Sequence, residues 1–322
     1  MKKFILQIIF IFFLPILCVA IVAEYSLRQI PNDYSYKNQW MEMNSKNIHI
    51  LCLGSSSVFF GINPIYFDKK AFNGAHVSQS LAYDNFIFNK FINRMDSLQY
   101  LVLDINILSP FSSLENTEEW WRVKNYCIYY GSNYHPGEIK YNYELAVHKL
   151  STFKNALNGL KSILGLHQYS NINVSELGFG LNYSSKNKIL DWDNGKPNAL
   201  RQNELIKKQV PLNLMVKNKM YINEIIKKCV ERNIKVLLIS TPSYRTFREN
   251  LDTNYLKVKN EFCRSFVSEK NNVEFVDFSN DIRFIEEDYF DAYHLNEIGA
   301  KKFTTIINDK LSNWKLKLRT QL

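Results

Sequence analysis

Short apolar segments alternate along this chain with longer amphipathic segments, and few folds are compatible with that alternation. The apolar segments end at polar or turn residues and have the length of strands that are buried on both faces. We predict five such strands, at 48–53, 70–72, 100–105, 234–240 and 273–278. Strands that alternate with helices are typical of a parallel sheet with helices on both faces, so the predicted fold class is α/β.

Four amphipathic helices are predicted between and after these strands, at 80–95, 219–233, 254–269 and 296–311. The second of them is the clearest, because its apolar residues recur at i, i+3, i+4, i+7 and i+8. The alternation stops between about residues 110 and 203, a stretch too long for an ordinary loop. We predict an insertion there, within a domain that spans residues 48–322.

The N-terminus carries a long apolar segment, Phe4–Ala23, which is interrupted only by Gln7 and Pro15. As a helix this segment is long enough to cross a hydrocarbon layer of about 30 Å. Lys2 and Lys3 precede it, and positive charge on that side favours an N-terminus inside and the remaining chain outside. The sequence therefore predicts a transmembrane anchor at 1–23, followed by a stalk at 24–47.

A cleaved signal peptide is the alternative to the anchor. Such peptides have a shorter apolar core, typically 7–15 residues, but cleavage after Ala20 or Ala23 stays open. In both cases the folded part of the chain lies outside the cytoplasm.

The composition excludes several classes of protein. Of the 322 residues, 46% are hydrophobic and 14% aromatic, which excludes a mainly disordered chain. The net charge is +9, but the lysines are scattered over amphipathic helices without forming a basic stripe, so nucleic-acid binding is not predicted. The five cysteines show no CxxC or Cys/His ligand spacing. We therefore predict neither a metal site nor a cofactor, and cysteines that mostly pack in the core, with one disulfide that involves Cys127 as the alternative.

A serine motif, Gly54-Ser55-Ser56-Ser57, directly follows the first predicted strand. Catalytic groups of open α/β sheets gather at the carboxyl ends of the strands. A glycine permits a tight turn there, and the turn can hold a serine hydroxyl clear of the sheet. By itself the motif is equally compatible with an ordinary Gly-Ser turn.

A second motif, Asp291-Ala292-Tyr293-His294, directly precedes the last predicted helix. A serine hydroxyl becomes a good nucleophile when an imidazole accepts its proton. The imidazole in turn needs a carboxylate that fixes its tautomer and stabilises the imidazolium. The alternative for this motif alone is a surface Asp and a His near a helix start. A doubly wound sheet can bring both motifs to its carboxyl edge.

The two motifs together resemble those of the SGNH/GDSL hydrolase superfamily, over about residues 48–110 and 215–312. The resemblance implies a flavodoxin-like three-layer α/β/α sandwich, with Ser56 as nucleophile, His294 as base and Asp291 as the group that orients the base. Ser55 stands where the superfamily usually has aspartate. Such Gly-Ser-Ser versions look like DltD and the alginate-acetylation type of envelope acyltransferase.

The resemblance also implies an oxyanion hole. Members of the superfamily use the nucleophile's own N–H, a glycine after the second strand and an asparagine after the third. Gly74 and Asn106 occupy the corresponding positions here. The usual Gly-x-Asn-Asp block is absent, so the sequence fits Asn106 equally well as an oxyanion donor or as a loop residue. Asn73 is the alternative donor.

Several further residues are candidate substrate contacts. Asn73 and His76 lie in and just after the Asn73-Gly74 turn, and His76 is alternatively a loop residue. Thr241 and Tyr244 follow the fourth predicted strand, where a plain strand-terminating turn is the favoured alternative. Trp120 and Trp121 lie in the predicted insertion and are suited to stacking on sugar rings, or to packing the insertion onto the core.

The resemblance implies a membrane-anchored enzyme of the bacterial inner membrane, with its domain on the periplasmic side. Its substrate would be an envelope or exported polysaccharide, and its reaction O-acyl transfer, usually of acetyl, through a Ser56 ester. The implied partner is a multi-spanning membrane O-acyltransferase. Two alternatives remain open, namely a carbohydrate acetyl esterase and a non-catalytic, anchored glycan-binding scaffold.

Overall fold

The computed structural model describes residues 9–147, 150–188, 195–268 and 272–319. The chain divides into two compact units. The first unit comprises Met1–Asn38 and Trp120–Ile172, and the second comprises Gln39–Glu119 and Asn173–Leu322. The predicted insertion at about 110–203 is thus divided between the two units, and its middle part belongs with the N-terminal segment.

The strands are, in chain order, β1 (Ile50–Leu53), β2 (Ala71–Asn73), β3 (Tyr100–Asp104), β4 (Lys235–Ser240), β5 (Val273–Asp277), β6 (Tyr289–Asp291) and β7 (His294–Leu295). The helices are, in chain order, α1 (Leu14–Arg28), α2 (Asp33–Asn44), α3 (Ser56–Gly61), α4 (Leu81–Phe91), α5 (Val123–Tyr129), α6 (Ile139–Asn142), α7 (Leu150–Ile163), α8 (Gly195–Gln209), α9 (Leu214–Glu231), α10 (Arg245–Arg248), α11 (Thr253–Arg264) and α12 (Glu297–Arg319).

The second unit contains a five-stranded sheet in the order β2-β1-β3-β4-β5, and its neighbouring strands all run parallel. This confirms the predicted α/β class with a parallel sheet. The chain places β2 on one side of β1 and then returns to place β3 on the other. The carboxyl ends of β1 and β3 therefore border a topological switch point, where crevices form in open sheets.

The strands form because their residues are apolar on both faces. All four residues of β1 and all five of β3 are buried. Helices cover the sheet, and α4 packs against α9 while α3 packs against α12. Asp104, at the end of β3, is the charged exception in these two strands, and it is only 1% exposed. Four cysteines are buried, as predicted: Cys52, Cys127, Cys229 and Cys263.

Two segments outside the sheet contain helices that the sequence did not predict. The segment 24–47, predicted as a stalk, is mostly helical, because it contains the end of α1 and all of α2. The stretch 110–203, for which no helix was predicted, contains α5, α6, α7 and α8. Their apolar residues are interspersed with Asn, Ser and Tyr, which obscures the helical period.

The N-terminal helix agrees with the predicted apolar segment over the part that is described. Phe10–Arg28 forms a helical segment of 19 residues with a mean hydropathy of 2.3, long and apolar enough to cross a membrane. Lys2, Lys3 and the segment 4–8 lie outside the described residues.

Candidate active site

Ser56 is the first residue of α3 and follows the short turn that ends β1. In this turn Gly54 adopts a φ of +141°, and a Cβ atom on it would lie 2.7 Å from the Cβ of Asp104. Glycine avoids both the strained backbone conformation and the close contact. The turn therefore brings the Ser56 hydroxyl to the carboxyl edge of the sheet, where the residue is half-buried and lines a cleft.

Asp291 and His294 reach the same place from the short antiparallel pair β6 and β7. The Nε2 atom of His294 lies 2.8 Å from the Oγ atom of Ser56. The Nδ1 atom of His294 lies 2.9 Å from the Oδ2 atom of Asp291. Oδ1 of Asp291 accepts the backbone N–H groups of Tyr293, at 2.9 Å, and of His294, at 2.8 Å. The structure thus brings the three predicted catalytic residues together in the order serine, histidine, aspartate.

The protonation of this group follows from the surroundings of Asp291. Burial disfavours the charged carboxylate, but the charge and hydrogen bond of His294 and the two backbone N–H groups outweigh it, and the pKa of Asp291 falls below its ordinary value. An ionised carboxylate only accepts hydrogen bonds, so Nδ1 of His294 carries the ring proton. Nε2 is then free to accept the proton of Ser56, as a general base must.

An aromatic wall surrounds the imidazole of His294. Tyr183 stacks on Phe60 at 3.7 Å and on Phe290 at 3.9 Å, between ring centroids, and its ring meets that of His294 at 5.1 Å with an interplanar angle of 72°. Tyr293 lies 4.1 Å from the same imidazole. These rings limit the rotation of His294. Tyr183 was not predicted, because no motif marks it within the apparent insertion.

Two groups that carry N–H donors lie beside Ser56. The N–H of Ser56 belongs to the first turn of α3, where helical N–H groups have no intrahelical acceptor. Asn106 lies just after β3 and lines the cleft. Its Oδ1 accepts the N–H groups of Leu108 and Ser109, so its Nδ2 must face the other way and donates to Ser55 Oγ at 3.0 Å.

Gly74, the predicted third donor, has a different role. Its N–H donates to the carbonyl oxygen of Cys52 at 2.8 Å and so continues the pairing of β1 with β2. A Cβ at this position would lie 3.0 Å from a side-chain atom of Leu53, which explains the need for a small residue. The expectation of an oxyanion donor at Gly74 was therefore wrong, because the sheet already uses that N–H.

A chain of hydroxyl groups runs beneath the nucleophile. Ser57 Oγ donates to Asp104 Oδ2 at 2.7 Å and lies 3.0 Å from Ser55 Oγ. Because the single proton of Ser57 goes to Asp104, Ser55 must donate to Ser57, and Asn106 then donates to Ser55. The direction of every bond in this chain is thus determined. It holds the Asn106 amide by one Nδ2 proton that is donated to Ser55, and the Asn106 side chain also forms a hydrogen bond with Asp104.

The chain of hydroxyl groups ends at a buried carboxylate, that of Asp104. Burial raises the pKa of Asp104 to about 6, although its bond from Ser57 and the nearby positive charge of Lys259 act in the opposite direction. Lys259 is itself buried and donates to Ser240 at 2.8 Å. A charged residue inside the otherwise apolar β3 was the sequence signal for this network, but it did not reveal the partners.

The amide of Asn106 provides a test of the oxyanion assignment. We expect Asn106→Asp to lower kcat about 100- to 1,000-fold, the usual cost of one oxyanion donor. The variant keeps Oδ1 as acceptor for the N–H groups of Leu108 and Ser109, but it places an acceptor opposite Ser55 Oγ and a second carboxylate near Asp104, so its thermal unfolding temperature should also fall. Steady-state ester hydrolysis and a thermal melt measure the two quantities. A wild-type kcat in this variant would show that Nδ2 does not face the reacting oxygen.

Two of the predicted substrate contacts are core residues. Asn73 is fully buried, and its Nδ2 donates to the carbonyl oxygens of Val58 and Ile62, each at 2.8 Å, while its Oδ1 accepts the N–H of Ala75. With both ends of the amide engaged, its predicted role as a substitute oxyanion donor was wrong. His76 is only 1% exposed and lies outside the cleft.

The other predicted contacts are divided between the units. Thr241 lines the cleft, as expected for a residue that follows β4. Tyr244 instead packs in an apolar cluster and meets Tyr289 edge-on, with 5.6 Å between ring centroids. Trp120 and Trp121 lie in the first unit, in a short helical turn. The structure therefore does not assign these tryptophans to the cleft.

The cleft around Ser56 has a volume of ≈ 320 Å³, which suits a small group or part of a larger substrate. Arg201, Arg248 and Lys259 are its basic lining residues, and Glu118 and Glu119 its acidic ones. Hydroxyl side chains are the commonest feature of its wall: Ser55, Ser56, Ser57, Ser78, Ser80, Ser109, Ser112, Thr117, Ser240, Thr241, Ser243 and Ser279. Several of these hydroxyls donate within the protein, for example Ser57 to Asp104, Ser112 to Leu108 and Ser240 to Ile105, so only those that form no such bond can bind a polar substrate as donors.

Comparison with known proteins adds little to this geometry. A family model for a domain of unknown function matches residues 198–315. The match contains Asp291 and His294 but not Ser56, and it covers less than half of the chain. No curated protein matches the chain.

Proposed function

We propose that this protein is a serine acyl-ester enzyme of the SGNH type, acting through an ester on Ser56. The observation that carries the proposal is the unbroken series of hydrogen bonds from Ser56 Oγ to His294 Nε2, and from His294 Nδ1 to Asp291. The strand order 2-1-3-4-5 also supports it, because this is the order of flavodoxin-like three-layer sandwiches, and Ser56 lies at the switch point of that order.

The proposed reaction begins when His294 Nε2 takes the Ser56 proton and Oγ attacks the carbonyl carbon of an acyl donor. The carbonyl oxygen becomes negative and accepts hydrogen bonds from the Ser56 N–H and Asn106 Nδ2. The bond to the leaving alcohol then breaks, and the imidazolium returns its proton to that alcohol. An acceptor hydroxyl, activated by His294 in the same way, releases the acyl group and regenerates Ser56.

We propose a hydroxyl of an exported or envelope glycan as the acceptor and acetyl as the acyl group. The hydroxyl-rich wall of the cleft supports a carbohydrate, because sugars need many donors and acceptors at once. A carbohydrate acetyl esterase is the second candidate, since Ser56 is half-buried and open to a cleft that water can enter. The ordered hydrogen bonds of the triad favour either enzyme over a non-catalytic scaffold.

We further propose that α1 anchors the protein in the bacterial inner membrane, with both units on the periplasmic side and a multi-spanning O-acyltransferase as partner. The helical segment Phe10–Arg28 supports a single crossing by its length and composition. It passes both candidate cleavage positions, Ala20 and Ala23, without a break, and Ser26 and Leu27 in its last turn are buried. A cleaved signal peptide can form the same kind of apolar helix and stays the alternative to the proposed anchor.

Transfer and hydrolysis can be separated with the purified full-length protein in detergent. We expect p-nitrophenyl acetate to acetylate Ser56 and added xylo-oligosaccharide or alginate oligosaccharide to carry the acetyl group afterwards, detected as a mass increase of the sugar. The Ser56→Ala variant serves as control. If only free acetate forms at saturating oligosaccharide, the protein is an esterase toward these acceptors, and transfer to them is refuted.

A further inference from the structure

Helix α7 of the first unit packs closely against the end of α1. A Cβ on Gly159 would lie 2.2 Å from the backbone oxygen of Ser26, so the two helices touch through their backbones at this point. Ala156 is buried in one cluster with Leu27 and Ile30. Small residues at such a contact allow close helix packing, which is common between helices in membranes. The position of α7 is therefore determined by that of α1.

Polar contacts fasten the last turns of α1 to the segment that precedes α7. The carboxylate of Glu24 accepts the backbone N–H groups of Glu144 and Leu145, at 3.1 and 3.0 Å. Arg28 donates to the carbonyl oxygen of Asn142 at 2.7 Å and pairs with Glu24. These bonds and the apolar cluster hold the last turns of α1 against the segment 142–145.

Part of the apolar face of α7 is exposed. Phe153 is 70% exposed, Leu157 45% and Leu164, just after the helix, 62%. Their spacing of i, i+4 and i+11 places them on one stripe, which adjoins the side that holds Ala156 and Gly159. Three apolar side chains in a continuous stripe are an unusual feature of a water-exposed surface.

Two further apolar residues and two lysines accompany this stripe. Ile163 and Leu166, at its carboxyl end, are also exposed. Lys154 and Lys161 are exposed on the adjoining face of the helix. An apolar face bordered by lysines is the pattern of helices that lie in a membrane interface, where the lysines reach lipid phosphates.

We infer that α7 is an interfacial membrane helix, with Phe153, Leu157 and Leu164 inserted into the lipid bilayer beside α1. This inference rests on the proposed anchor. A helix of 19 residues rises about 28 Å, which is close to the thickness of the hydrocarbon layer. Crossing by Phe10–Arg28 thus puts the last turns of α1 at the membrane boundary. Since α7 is packed on those turns, its exposed stripe lies at the same level.

The inference can be tested with the full-length protein in vesicles of phosphatidylcholine and phosphatidylglycerol. In a Cys18→Ser background, an environment-sensitive fluorophore is attached to Leu157→Cys, and in a matched control to Ser151→Cys on the polar face of α7. Lipids with nitroxides at shallow or deep positions then serve as quenchers. We expect blue-shifted emission at position 157, with stronger shallow than deep quenching, as for a face about 5–10 Å deep in the interface. Position 151 should remain water-like and weakly quenched.

The outcomes distinguish this inference from the anchor on which it rests. Flotation of the same vesicles after an alkaline carbonate wash reports whether α1 is inserted. If the protein floats but position 157 is as water-like as position 151, the anchor stands and the interfacial helix is refuted. If position 157 is blue-shifted without lipid quenching, protein covers the stripe, and the inference is again refuted. Loss of flotation would refute the anchor and the interfacial helix together.

Discussion

Replacing Ser56 with alanine should lower ester turnover about 10⁴- to 10⁶-fold, the range seen when the nucleophile of a serine enzyme is removed. The reason is geometric, because Ser56 Oγ lies 2.8 Å from the imidazole that activates it. The same variant should form no covalent adduct with a fluorophosphonate probe. The residue is half-buried at a helix start, and its loss removes a single side-chain hydrogen bond, so the fold should persist.

The neighbouring serines supply matched controls. Ser55→Ala and Ser57→Ala should still be labelled by the probe at Ser56, because neither hydroxyl contacts His294. Both should lower kcat to a smaller extent, since each breaks the hydroxyl chain that holds Asn106. Peptide mapping of the adduct identifies the labelled serine. If the Ser56→Ala variant retains full activity and carries an adduct on Ser55 or Ser57, the nucleophile has been assigned to the wrong residue.

The sheet was predictable from the sequence because buried parallel strands need apolar residues on both faces. β1 consists of such residues up to Leu53, and β3 consists of them up to Leu103, the residue before Asp104. The bounds of the two predicted strands differ from the observed bounds by no more than two residues at either end. The boundaries were less certain, because the bonds that end a strand are not encoded locally. Thus β2 was predicted to end at Phe72 but continues to Asn73, where it pairs with Cys52.

The division into two units was not predictable in the same way. It depends on contacts between distant segments, such as Glu24 with Glu144 and Ser26 with Gly159. Nothing in the sequence around Gly159 marks this residue. Its role in close helix packing is evident only from its contact with α1.

The parts of the candidate site whose residues lie close together in the sequence were predicted best. Asp291 and His294 are three residues apart, and an Asx turn within that motif joins them. Their approach to Ser56 followed from the topology, since strand ends converge in a parallel sheet. The roles of Gly74 and Asn73 were misjudged because each is determined by backbone partners on β1 and α3. Tyr183 was missed because its contacts span more than one hundred residues.

Replacing Asp291 with asparagine should lower kcat about 10⁴-fold near neutral pH, as expected when the base is held in the wrong tautomer. The asparagine Oδ1 can still accept the N–H groups of Tyr293 and His294, so the turn is retained. Its amide nitrogen takes the place of Oδ2, 2.9 Å from Nδ1, and it can only donate. Nδ1 must then accept, the ring proton moves to Nε2, and His294 can no longer take the proton of Ser56.

The size of this effect distinguishes the proposed mechanism from a purely structural role. Losing one hydrogen bond to a charged group costs about 1.5–3 kcal/mol, equivalent to about 10- to 200-fold in rate. A fall of about 10⁴-fold exceeds that range and requires loss of the base itself. Asp291→Ala is the matched comparison, because it also removes the turn and should lower both kcat and the unfolding temperature. Asp291→Asn should lower kcat alone, and a kcat within tenfold of the wild type would mean that Asp291 does not set the protonation of His294.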